Sequence, residues 1–437
     1  MRMTWMAMAL AAGWAACGDD DTKREVDSGG DTAETATTTD TTTSETTATD
    51  TTTETIAETV EDTAQETVAE TVDDTGGETS SDTADETSDT PDPGPLDPMY
   101  TLVILEPIVI DEASKVFSAP LGIDAQGVIT GYAAVEAWGP DARAISVTSA
   151  GVVTVLPVAE VQSGYAYASS GGALVVGTNR FQPTAWVGGV EATMKVPDGW
   201  FSGSAQGVNP SGLVVGSWAD SDDALPPNPV GPRPCTWATA TAAAAPLATI
   251  EGAEPLGIAF DVNDDGVIAG TLATVASGFL AVRWADADAE PVVVTLAGAT
   301  RAEAKAINAR GDVAGRATLA DNTSRAFRAL AGEDGILLPP LVVAEPYAEG
   351  FDIDDAGRVV GASRFSEGVL HGTIWGEDGL AIDVHDRLSE ALPEGALRIS
   401  SAVAITPDGK TIACEVVMDE GFGDSVRRIG ILRAVEE

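Results

Sequence analysis

An all-β chain folded as a seven-bladed β-propeller is predicted by three observations: a glycine-punctuated turn that returns seven times, a propeller-like spacing, and no long helical period. The clearest copies are AQGVNPSGLVVG at 205–216 and AKAINARGDVAG at 304–315. Close relatives are DVNDDGVIAG at 261–270, DIDDAGRVVG at 352–361 and GIDAQGVITG at 122–131. AITPDGKTIA at 404–413 closes the series with Ala in place of the last Gly, and ASSGGALVVG at 168–177 is a degenerate second copy. The equivalent positions 131, 177, 216, 270, 315, 361 and 413 are separated by 46, 39, 54, 45, 46 and 52 residues.

The pattern has a mechanical reading. Asn, Asp or Thr followed three residues later by Gly suits the first and fourth positions of a type I turn, and Pro210 and Pro407 hold the second. Small residues before the turn (Ala205, Gly207, Ala304, Gly350) suit an innermost strand crowded around an axis. A further strand ends in a bulky residue at Trp186, Trp237, Trp284, Phe327 and Trp375, and short β-rich runs such as Val152–Leu156 and Pro291–Leu296 follow. Four strands per repeat, seven times, make a propeller; a β-solenoid fits less well, because its rungs are shorter. The chain ends are complementary: Thr101–Leu105 resembles a fourth strand without its first three, and Arg427–Leu432 a third strand without a fourth. Joining them closes the ring and removes an exposed edge.

Ahead of the repeats the chain reads as three segments: a lipoprotein signal peptide over 1–16, a lipidated Cys17 heading a Thr/Asp/Glu-rich stalk over 17–98, and the propeller over 99–437. Met3 to Ala16 is apolar or small apart from Thr4, and its rise of about 21 Å as a helix is too short for a bilayer core. The apolar run stops at Cys17, where Gly-Asp-Asp-Asp begins. Gly18 to Pro98 holds 25 Thr and, with Met99, 25 of the 69 acidic residues, so it cannot bury enough apolar surface to order itself. It reads as a disordered spacer, with or without glycans on Thr, stiffened near Pro91, Pro93, Pro95 and Pro98. With a formal net charge of -46 and no basic cluster, nucleic acid is excluded as a partner.

Two resemblances follow from these residues. Trp14-Ala15-Ala16-Cys17 looks like a bacterial lipobox, although Trp14 departs from the usual Leu; this implies acylation of the Cys17 thiol (palmitate-type chains) and a membrane anchor. Gly18 after it resembles outer-membrane-sorted lipoproteins, so an extracytoplasmic place on the outer membrane or cell surface is expected. The Ala-x-Ile-Asn-x-x-Gly-x-Val-x-Gly pattern with its trailing Trp is similar to the bacterial extracellular HAF repeats, from Tyr100 to the C-terminus. That family implies export and a propeller-like fold, not a reaction.

Candidate chemistry is sparse. The two histidines, His371 and His385, read as a packing residue and a loop residue beside Asp383 and Asp386. Cys235 and Cys414 fall in repeats three and seven, too far apart for a disulfide, and read as buried free thiols. Asp261, Asn263 and Asp265 match the first half of an Asp-x-Asn-x-Asp-Gly calcium loop similar to integrin-type propeller repeats. Ala269 and Leu272 replace the later ligands, so turn chemistry is the favoured reading, with no metal and no cofactor. The expected function is a monomeric recognition or scaffold module for a protein or glycan. The alternatives are a carbohydrate-active lyase or glycosidase and a calcium-binding adhesion propeller. The longest interval contains Asp220–Pro234, an acidic, Pro-rich insertion expected to carry recognition.

Overall fold

A computed structural model describes residues 98–435, except 111–112, 116, 136–140, 159–162, 199–201, 220–230, 252–255, 275–277 and 422–423. The signal peptide, Cys17 and the stalk lie outside the described residues. Seven four-stranded antiparallel sheets follow one another around a ring, so the chain is a seven-bladed β-propeller. Blades 1 to 6 span 117–155, 164–193, 202–246, 257–293, 299–337 and 348–383. Blade 7 takes three strands from the C-terminus (Ala396–Ile405, Thr411–Gly421, Asp424–Ala434) and its outer strand, Tyr100–Ile104, from the other end of the sequence. Tyr100 pairs with Ala434 and Ile104 with Gly430, the closure anticipated from the sequence. Beyond that strand a small hairpin (Ile108–Ile110 with Ala113–Lys115) leads into blade 1.

The first strand of every blade is innermost, and neighbouring first strands touch all the way round. Each carries a β-bulge, for instance between Ala205 and Gly207 or Ala304 and Ala306. The repeated Gly of the second strand lies opposite the residue just before that bulge. At Gly315 a Cβ would stand 1.9 Å from the Glu303 carbonyl oxygen, so only a hydrogen fits. The turn glycine has a different reason. Gly311 sits at φ +82°, and its N–H closes the turn onto the Asn308 carbonyl.

Pairing corrects the repeat alignment in two places. In blade 7 the turn runs Thr406 to Thr411, one residue longer than Asn308 to Asp312 in blade 5. Consequently Cys414, opposite Ala402, occupies the glycine position, and Ala413 does not. Across from Cys414 stands Gly430, whose missing side chain leaves room for the thiol. In blade 5, Ala329 pairs with Val313 where Trp284 pairs with Ile268 in blade 4, so Ala329 is the true counterpart of the tryptophans. Phe327 is two residues earlier on the same face of the strand, and fills the core beside Val294, Leu296 and Ala329.

The four tryptophans are fully buried, and each indole N–H donates to the carbonyl of the segment leaving the preceding blade. Trp186 reaches Pro157, Trp237 Lys195, Trp284 Ala248 and Trp375 Pro339, at 2.7–2.8 Å. One side chain thus fills a blade and ties it to its neighbour. The apolar clusters also cross blade boundaries: Ile129 and Ile145 of blade 1 pack with Val403 and Ile429 of blade 7.

Candidate functional site

The turns between first and second strands cluster on one face of the ring, and their Asn residues do two jobs. Each Oδ1 accepts backbone N–H groups of its own turn, as Asn308 does from Arg310 and Asp312. Each Nδ2 then reaches the next blade. Asn209 donates to the Asn263 carbonyl, Asn263 to Asn308 and Asn308 to Asp354, at 2.9–3.0 Å. The relay is buried and joins blades 3 to 6. Arginines add a second tie, Arg283 to the Gly311 carbonyl and Arg328 to Gly357. Sequence reading found the turn but missed the relay, because the acceptor lies about 45 residues away in the chain.

Inside the ring of turns lies the mouth of the central channel, a cavity of about 510 Å³ lined by all seven first strands. The residue at each bulge lines it, and here the repeats diverge. Blades 1 to 7 place Leu121, Tyr167, Gln206, Phe260, Lys305, Phe351 and Val403 at this one position. The Lys305 ammonium lies 4.4 Å from the centre of the Phe260 ring and 2.9 Å from Glu303. Arg316 joins Glu303 to Glu349. Burial alone would raise the Glu303 carboxyl, but Lys305 and Arg316 hold it down at about 2.

Two acids follow the bulge, Asp261 in blade 4 and Asp352 in blade 6. Asp261 accepts from the N–H of Val262 and of Ile307 in the next blade; Asp352 does the same with Ile353 and Ile405. Burial raises the carboxyl of both. For Asp352, burial outweighs its backbone hydrogen bonds, Asp261 adds like charge, and the value is pushed up to about 7.

The calcium-loop candidates are thereby dispersed. Asp261 bridges blades within the channel, Asn263 belongs to the relay and accepts from Val267, and Asp265 is exposed on the turn. Cys235 and Cys414 are buried free thiols, and burial raises both. Residues 220–230 of the insertion lie outside the described residues.

The histidines depart from expectation. His385 sits on a short 3-10 turn (Val384–Arg387), partly buried, and the pairing of Thr373 with Asp383 folds His371 against it. The His371 and His385 Nδ1 atoms each lie 2.6 Å from a different oxygen of Asp383. Burial would raise the Asp383 carboxyl, yet hydrogen bonds from His371 and His385 hold it well below the usual carboxylate range. Phe365 stacks on His371 with ring centres 4.2 Å apart. The signal available in the sequence was the hairpin spacing, Val369–Trp375 followed by Ala381–Asp383.

No known family profile matches the chain, and no curated protein matches it. Among solved structures it is similar to TolB from Acinetobacter baumannii, at 14% identity and a TM-score of 0.41, covering 59% of this chain and 62% of that one. The chain therefore spans about three fifths of that protein's length. It is also similar to a puromycin hydrolase S511A mutant complexed with PGG, at 13% identity and a TM-score of 0.45, covering 69% and 50%. A protein of unknown function from Dyadobacter fermentans gives 11% identity, a TM-score of 0.41 and 77% and 99% coverage.

Proposed function

We propose that the chain is an extracytoplasmic, lipid-anchored recognition module that binds a protein or glycan ligand in the mouth of its propeller channel. One observation carries this reading. The turn glycine recurs in six of the seven blades and the Asn relay ties blades 3 to 6, while the bulge position facing the cavity holds seven side chains of six kinds. A repeated scaffold that varies the residues facing a cavity is how a fold presents a specific surface. Tyr167, Phe260 and Phe351 supply aromatic faces; Gln206 and Lys305 supply hydrogen-bond donors. A glycosidase reading is less well supported, because both oxygens of Asp261 and of Asp352 already accept backbone N–H groups.

The lipobox resemblance at Cys17, the acidic Thr-rich spacer and the HAF-like repeats support, on this reading, a position at an outer membrane or cell surface. The charge balance disfavours nucleic acid as its ligand. The test is a glycan and protein array probed with the chain carrying Cys17→Ser, then repeated with Phe351→Ala. Capture of a defined ligand that Phe351→Ala weakens supports the reading. Turnover of a polysaccharide without retention would replace it with an enzyme.

A further inference from the structure

Blade 6 has a second cavity, of about 770 Å³, whose chemistry the channel reading does not use. Its titratable and charged groups are His371, Asp383, His385, Asp386 and Arg387, and Leu341, Val342 and Phe365 form apolar walls. The hydrogen bonds fix the imidazole protons. The Ile399 N–H donates to His385 Nε2 at 3.0 Å, so His385 carries its proton on Nδ1 and donates it to Asp383. His371 Nδ1 serves the other oxygen of that carboxylate, which leaves His371 Nε2 without a partner among the described residues. These tautomers argue against a metal held by all three. A neutral His ligand bound through Nδ1 must carry its proton on Nε2, and His385 would then point an N–H at the Ile399 N–H.

Arg387 is the unexplained group. It makes no hydrogen bond or ion pair among the described residues, and its Nε is buried with no acceptor. In a chain of net charge -46, a guanidinium in a cavity with no carboxylate bonded to it lacks an anionic partner. We propose that this cavity binds an oxyanion, a carboxylate or a phosphate ester, carried on an apolar or ring-shaped body. Arg387 supplies the planar donor fork. His371, held by Asp383 through Nδ1 and stacked on Phe365, stands in the same wall. Phe365, Leu341 and Val342 contact the body.

The chain has only 2 His, so the imidazole C–H signals in NMR of the full protein report this site directly. Benzoate and phenyl phosphate, added in turn, should shift the signals lost in His371→Gln saturably, whereas uncharged benzyl alcohol should not. A response to one anion alone assigns the carboxylate or the phosphate. Arg387→Gln should weaken the response about tenfold and Arg387→Lys less, as expected for loss of a bidentate charged contact. Lys305→Gln, in the channel, should leave it unchanged, which separates this proposal from the channel reading. Equal shifts with benzyl alcohol, no saturation, or indifference to Arg387→Gln overturns the proposal. So does a saturable zinc-induced shift that requires Asp383, since it would reverse the tautomer assignment.

Discussion

The turn belt and the bulge ring are adjacent layers of the same seven strands, yet they obey opposite rules. In the belt, Asn209, Asn263 and Asn308 repeat one hydrogen-bond pattern with acceptors at the same distance in successive blades. One residue position away from the tight glycine contact, the bulge holds an aliphatic, an aromatic, an amide or an ammonium group. Belt atoms must satisfy buried donors and acceptors across blade boundaries, so few residue types serve. Most bulge side chains line the cavity, so fold stability constrains them less, with Val403 the exception in its buried cluster with Ile129 and Ile145.

The two layers differ in how much a substitution in them costs. The largest effect falls on closure: deleting Tyr100–Pro107 removes the outer strand of blade 7 and the buried Tyr100, whose hydroxyl donates to Gly409. It should abolish a cooperative thermal transition, while deleting residues 30–80 leaves the transition intact; calorimetry of both decides it. Next, Gly315→Ala puts a methyl group against the Glu303 carbonyl and should cost about 3 kcal/mol in denaturant unfolding. A third effect is pH-dependent. Asp352 sits at about 7 in the fold, above the ordinary carboxylate value, so its stabilisation is complete below that ordinary value and is lost as pH rises through about 7. Between pH 8 and pH 5 the domain should gain about 2 kcal/mol on acidification, and Asp352→Asn should flatten that slope. Below that window, Glu303 and Asp383, which are held low, lose stability as they protonate. The smallest effect is Trp284→Phe, which keeps an aromatic ring but removes the indole donor to the Ala248 carbonyl and some buried volume, at about 1–2 kcal/mol.

The same contrast explains what the sequence could reveal. Blade number, strand order and the closing strand were legible because turn glycines and apolar strands repeat within a few residues of one another. Hidden features depend on atoms from another blade or on a register. The Asn263 amide needs the carbonyl of Asn308, and Asp352 needs the Ile405 N–H. Cys414 takes the glycine position only because a turn is one residue longer, and Ala329 replaces a tryptophan because Phe327 fills the same layer. At the candidate site, Asp261 was singled out for a metal-like spacing, whereas the fold uses it as a bridge between blades. The seven bulge residues had no sequence signal at all, since their variation looks like drift until pairing shows that they share one position.

The most direct measurement of that division of labour is a paired comparison of Tyr167→Ala with Phe351→Ala against Asn263→Ala, reading unfolding free energy and capture of the array-identified ligand on the same samples. The account predicts that the two channel substitutions change stability by no more than about 1 kcal/mol and lower affinity at least about tenfold. Asn263→Ala should cost about 2 kcal/mol of stability and, on the folded fraction, lower affinity far less than either channel substitution. Retained binding in both channel variants, or affinity that simply tracks stability across all three, would contradict it.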